Sequence, residues 1–277
     1  AVERGLKVVT LEKTARVSGM GALSSGPFAV NSSIQQENGV TLTVADVFTD
    51  MMDYAFWKTN ASLVYNIIDK SGATIDWLNE KWHSIGQPGF VSGPSANGIN
   101  QMHIWGKGTA KYEALWDEII IPGGGELLLE TEAQSLIVED GAVKGVAGTK
   151  RDGTKVIVNA ADTIVCTGGF GGNDAMMKEL LGSDHFALVG LSASDGDGIN
   201  MAVAVGAATE GEGWTQMMPL GWVDNGNLSG GAGENVIFIN AATGKRYVDE
   251  SAERDVLSEG AFENSMSKET AESLGLK

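Results

Sequence analysis

Sulfur bridges are the first thing this 277-residue sequence excludes. It holds one cysteine, Cys166, so neither an internal disulfide nor a multi-cysteine metal site is available. Histidine is almost as scarce. Of the three, His83 and His103 have no partner at metal-ligand spacing, so both are read as ordinary polar residues and no metal is expected. No apolar run approaches the roughly 20 residues that a membrane helix needs, and Ala1 to Lys7 carries no signal-peptide pattern. Positive charge is in deficit: 19 Lys and Arg stand against 36 Asp and Glu, a net charge of −17. Such a surface repels phosphate backbones and anionic lipid, so nucleic acid, membrane surface and membrane insertion are not expected. What remains is a soluble globular chain, cytoplasmic or exported to the cell envelope. Its 43% hydrophobic content suffices for one large domain and part of a second. Cys166 lies in an apolar run and is read as a buried, inert thiol.

The chain opens on Ala1-Val2-Glu3-Arg4-Gly5, which reads as a helix end, and continues into a short apolar strand, Lys7–Glu12. An apolar strand closed by an acidic residue has the form of the second strand of a nucleotide-binding βαβ unit, so the first strand and its glycine turn are expected upstream. A small-residue loop follows, Ser18-Gly19-Met20-Gly21-Ala22-Leu23-Ser24-Ser25-Gly26, either a close backbone approach to a ligand or a plain surface turn. Residues 43–82 read as helical, with core faces marked by Phe48, Met51, Met52, Ala55 and Phe56, then Leu63, Ile67 and Ile68, then Ile75 and Leu78. A Gly- and Ser-rich loop over 86–100 precedes a helix expected at 108–120. Alternating strands at Leu127–Glu132, Ser135–Val138, Val143–Thr149 and Lys155–Asn159, joined by Asp-Gly turns, predict a β-meander. It runs into an apolar strand, Thr163–Cys166, that ends in the turn Thr167-Gly168-Gly169-Phe170-Gly171-Gly172-Asn173 and a helix. Ser194-Asp195-Gly196-Asp197-Gly198 starts another helix, where Asp197 is either a cap or a ligand contact. A strand pair is expected at Val236–Asn240 and Lys245–Val248, and a polar helical tail from Leu257 onwards.

Four of these stretches, in this order, resemble the FAD-dependent fumarate reductase and succinate dehydrogenase flavoproteins. They are Val8-Val9-Thr10-Leu11-Glu12-Lys13 with its loop to Gly26; Cys166-Thr167-Gly168-Gly169-Phe170-Gly171-Gly172-Asn173; Gly196-Asp197-Gly198-Ile199-Asn200-Met201-Ala202; and Gly244-Lys245-Arg246-Tyr247-Val248-Asp249-Glu250 leading to Arg254-Asp255. The resemblance implies an α/β fold: a Rossmann-like FAD-binding domain of glutathione-reductase type over 1–213, with its β-meander, and the start of an α+β capping domain over 214–277. It also implies a central piece of such a protein, with the phosphate-binding glycine turn and first helix upstream and a C-terminal flavin segment beyond this chain; without that turn and helix N-terminus, weak FAD retention by the chain alone is expected. FAD contacts would fall on Glu12 at the adenosine ribose, on Lys13, on Gly19, Met20, Gly21, Ser25 and Gly26 around the flavin and pyrophosphate, on Ala133 at the adenine, and on Thr167, Gly168, Gly169 and Asp197. Arg254 would be the catalytic acid, the alternative being a structural ion pair with Asp255 or Glu250. Gly26 and Met218 would face the substrate.

Departures narrow the expected substrate. The family's Gln-X-His-Pro element reads Gln216-Met217-Met218-Pro219 here, and its proton-relay positions fall near Ser229 and Ala232. A charge-paired donor has become a thioether. The resemblance therefore implies reduction of an activated C=C bond in a small unsaturated carboxylate or related enoate other than fumarate itself. Met217, Met218, Trp214 and Trp222 point to an apolar or aromatic group at that position, unless they are plain core. The rival readings are an FAD-dependent dehydrogenase or oxidase of the ketosteroid dehydrogenase type, and a catalytically silent fragment.

Overall fold

The computed structural model describes residues 1–17, 19–94, 101–106, 108–182, 192–211, 213–215, 217 and 236–275. The chain divides into two compact units, Ala1–Gly168 with Asp197–Ala207, and Gly169–Gly196 with Ala208–Lys277.

The first unit begins with a 3-10 turn, Val2–Arg4, closed by Gly5 at φ 73°, a conformation that glycine adopts without a Cβ clash. Strand β1 (Val8–Leu11) follows. Helix α1 (Ser33–Glu37) is held by a reciprocal capping box between Ser32 and Gln35. Helices α2 (Val44–Tyr54) and α3 (Ala61–Ser84) are capped by the Thr43 and Asn60 side chains. They share a core of Val30, Val47 and Ile68. The helical reading of 43–82 is thus broken once, by Phe56 and Trp57 at φ 51° and 56°. Bulky residues rarely take that conformation; here the Trp57 indole N–H donates to Asp53 at 2.6 Å and its ring meets Phe48 edge-on. Met52, Ile68 and Ile75 are buried as expected, whereas Met51, Phe56, Leu63 and Ile67 are exposed. The buried stripe of α3 is narrower than its apolar pattern: Ile68 turns inward, whereas Ile67, about 100° away around the helix, faces outward.

Strands β2 (Val91–Gly93) and β3 (Met102–Ile104) pair antiparallel. Helix α4 (Ala110–Leu115) continues as a π-helical turn over Trp116–Ile120, matching the helix expected at 108–120. Strand β4 (Gly125–Leu128) then lies parallel to β1, from Val8↔Gly125 to Leu11↔Leu128. The meander is β5 (Thr131–Glu139), β6 (Ala142–Lys150) and β7 (Lys155–Asn159), antiparallel in that order. The single strand expected over Leu127–Glu132 is therefore split. Glu130 at φ 48° turns the chain from the parallel pair into the meander.

The strand expected at Thr163–Cys166 does not form. No described strand runs beside this segment, and an extended chain without a ladder is not a strand. Ile164 is 82% exposed, and Cys166, expected to be buried, is exposed as well.

Helix α5 (Asp174–Leu181), in the second unit, is capped by the Asn173 side chain and stopped by Gly182 at φ 70°. Helix α6 (Asp197–Ala204) belongs to the first unit. The second unit continues with a hairpin shorter than expected, β8 (Ile239–Asn240) and β9 (Lys245–Arg246), then α7 (Arg254–Glu263) and α8 (Lys268–Ser273). Among the described residues no helix is long and apolar enough to cross a membrane.

Candidate functional site

The carboxyl end of the parallel pair is where the first unit gathers its candidate residues. Glu12 extends the β1 ladder, its N–H donating to Leu128 O and its carbonyl accepting from Thr131 N. Its Oε1 accepts from Thr14 N at 2.7 Å, and its second carboxylate oxygen has no partner among the described residues. The next residue, Lys13, reaches Asp197 with Nζ 2.8 Å from Oδ2. A partly exposed pair of this kind stabilises by only about 0.2–1 kcal/mol. Its value is geometric, since it ties the end of β1 to the first turn of α6 across 184 residues of sequence. Gly198, the next helical residue, is packed so closely that an added Cβ would lie 2.1 Å from Thr167 Oγ1 and 2.5 Å from Val165 Cγ1. Lys13, Asp197 and Thr167 thus converge although the sequence scatters them. Ala133 faces Gly148 on β6, beside a register shift in β5. Gly168 is at φ 80° in the first unit, while Gly169 belongs to the second, where its carbonyl accepts from Gly196 N at 3.0 Å.

The loop over 19–26 opens with a 3-10 turn, Gly19–Ala22, and is stitched to the segment after β3. Gly108 N donates to Ala22 O, Trp105 N to Ser25 O and His103 N to Pro27 O. A Cβ on Gly26 would fall 1.9 Å from His103 O, and one on Gly21 would fall 2.2 Å from the Tyr112 hydroxyl. Two of the glycines read as room for a ligand are therefore required by protein packing. Gly19 alone of these three faces open space, and Met20 is largely exposed. Ser18 lies outside the described residues.

Two residues behind this loop carry no sequence mark. His103, read as an ordinary polar residue, is fully buried, with Nε2 2.6 Å from the equally buried Ser32 hydroxyl and Nδ1 unpartnered among the described residues. Burial holds its pKa below the ordinary 6.5, against the pull of the Asp76 carboxylate. The folded chain therefore keeps it neutral where the unfolded chain takes up a proton. Its contribution is fully present above pH 6.5 and is lost as pH falls below that value. Urea midpoints are expected to drop between pH 7 and pH 5.5, and His103→Gln should flatten that slope; an unchanged slope would refute the assignment. The other residue is Lys111, on α4, buried beneath the Trp105 and Tyr112 rings.

In the second unit, Arg254 is the first residue of α7 and is half-buried. The hairpin before it is fixed by Glu250, whose buried carboxylate takes Arg246 Nε at 2.9 Å and Phe238 N at 2.7 Å. The Arg246 guanidinium first, and then the Phe238 N–H, hold the Glu250 pKa at about 2. Gly260 of α7 packs against Val248 and Tyr247 just before that glutamate. Met218, Gln216, Pro219, Trp222, Ser229 and Ala232 lie outside the described residues. Met217 is described and accepts from the Thr215 hydroxyl at 3.2 Å, while Trp214 is exposed. Among the described residues no group of His, Cys, Asp and Glu is arranged to hold a metal.

These residues fit an FAD. In the first unit a half-free carboxylate stands at the end of a parallel strand, and Gly19 exposes backbone with nothing within 4 Å of an added Cβ. Comparison with known proteins agrees. NADH:acrylate oxidoreductase of Vibrio harveyi is 33% identical over 219 residues, which is 73% of this chain and 21% of that protein. Vinyl phenol reductase of Lactiplantibacillus plantarum is 28% identical over 269 residues, 91% of this chain and 53% of that protein. The chain thus spans about half or less of the length of these curated relatives. A flavocytochrome c3 fumarate reductase in its open conformation superposes with a TM-score of 0.78 at 22% identity, covering 94% of this chain and 47% of that one. The fold is therefore the α/β FAD-binding fold of the fumarate reductases. The sequence profile of the family described as FAD binding domain matches residues 1–276, and the chain belongs to that family.

Proposed function

We propose that the protein containing this chain reduces an activated C=C bond in a small enoate or styrene-like substrate, with 1–213 contributing to its flavin domain and 214–277 beginning its capping domain. The observation that carries this reading is the family match over residues 1–276, together with relatives named for acrylate and vinyl phenol. Arg254 opens α7, whose Gly260 packs against Val248 and Tyr247. Bound FAD would supply the hydride. Glu12, Lys13, the loop over 19–26, Ala133, Thr167 to Gly169 and Asp197 would hold the cofactor, and Gly26 and Met218 would face the substrate. Arg254 would place a proton on the carbon next to the one that receives hydride, and its charge would steady the carbanion as it forms.

Substrate choice is inferred from the sequence, in which Met218 takes the histidine position of the family's Gln-X-His-Pro element and Met217 precedes it. A thioether offers no charge and suits an apolar or aromatic group. The relatives that act on acrylate and vinyl phenol fit the same preference. The test is a screen of the full-length protein with a reduced dye as donor. Acrylate, cinnamate-type acids and 4-vinylphenol are expected to be turned over faster than fumarate; a preference for fumarate overturns the substrate assignment.

A further inference from the structure

Lys111 presents an imbalance that its surroundings leave unresolved. The residue is 7% exposed. Its ammonium donates to the carbonyl of Gly106, lies 3.5 Å from that of Ser24, and stands 4.4 Å from the centre of the Trp105 ring and 5.3 Å from that of Tyr112. Trp105 is itself stacked on Phe90 and tilted against Trp82, so the cage is rigid. Among the described residues no carboxylate lies within ion-pair distance of this ammonium. Removing a cation from water costs several kcal/mol, and two carbonyls with one or two aromatic faces offset only part of that. A buried, uncompensated cation is retained where something else supplies the negative charge.

The cage faces the loop over 19–26. Ser24, whose carbonyl meets Lys111, both donates to Gly26 O and accepts from Gly26 N through its hydroxyl. Tyr112, beside Lys111 on the same helix, is the residue that touches Gly21. The ammonium therefore sits directly behind the loop assigned to the flavin. We propose that Lys111 is a positioning residue for that loop and raises the flavin reduction potential through its uncompensated charge. Electrons entering the cofactor add negative charge, which a desolvated cation behind the loop stabilises. This rests on the flavin assignment made above.

The test uses the full-length holoprotein and reads flavin content and midpoint potential, not turnover. Lys111→Met removes charge and donors; Lys111→Gln removes charge but keeps a donor for the carbonyls; Lys111→Arg keeps the charge. In the Met and Gln variants the preference for reduced over oxidised FAD is expected to weaken about tenfold, a fall of about 30 mV for a two-electron couple. The Arg variant should stay close to the parent. If Lys111→Met fails to fold, the comparison of Gln with Arg carries the test. Equal potentials in those two, in proteins that hold FAD, overturn the inference alone. A full-length parent that retains no FAD overturns the functional reading and this inference with it.

Discussion

Arg254→Ala in the full-length protein is expected to slow double-bond reduction by about 100-fold or more while flavin content stays at the parental level. That is the usual range for a lost general acid. A guanidinium with a pKa above about 12 is a weak acid in solution, yet the carbanion formed after hydride transfer is basic enough to take its proton. Such an acid works when it is held in place. The Arg246–Glu250 pair, the Phe238 N–H on the same carboxylate and the packing of Gly260 on Val248 fix the segment that leads into α7, whose first residue is Arg254. Glu250 remains ionised down to about pH 2, so the clamp persists through the neutral range. Lysine brings a flexible point charge in place of a planar fork, and Arg254→Lys should recover little. Turnover within a few-fold of the parent, measured with a reduced dye, would return Arg254 to a structural role.

Glu12→Ala is expected to weaken FAD binding by the full-length protein about 10- to 100-fold, read as a dissociation constant by flavin fluorescence. Hydrogen bonds to a charged group contribute about 1.5–3 kcal/mol, and each 1.4 kcal/mol is a factor of ten. Oε1 is already spent on Thr14 N, so the contact with a ribose would fall to the other oxygen. Glu12→Gln keeps an acceptor for Thr14 and separates loss of charge from disturbance of the turn. Unchanged affinity in both variants would remove Glu12 from the site.

Where the chain uses ordinary punctuation, the sequence could be read closely. Gly5 closes the first turn, Asn173 caps α5, and Asp140-Gly141, both at positive φ, join β5 to β6. Lys13 and Asp197, placed in separate flavin motifs, do meet in the structure. The failures share a cause. Glu130, Phe56 and Trp57 turn the chain in a left-handed conformation that their side chains do not advertise. The apolar run at 163–166 has the composition of a strand, whereas a strand is made by its neighbour, and none of the described strands lies beside it. Lys111 and His103 escaped because burial depends on the tertiary fold, and a single lysine or histidine offers no spacing to recognise.

The parallel pairing of β1 with β4 also orders events in time. The meander strands are sequence neighbours, and hairpins of that kind close within about 1–10 μs. Among the described residues strand β1 pairs only with β4, so Val8 meets Gly125 after the chain between them is made. During synthesis at about 5–20 residues per second, the ribosome needs roughly 6–25 seconds to make the intervening chain. Throughout that interval the side of Val8–Leu11 that β4 later covers stays unpaired, an apolar edge open to β-pairing with other nascent chains. Lys13 waits longer still for Asp197. The β1–β4 pairing can therefore be secured only after the helices of residues 33–84, which lie between its two strands, have been made.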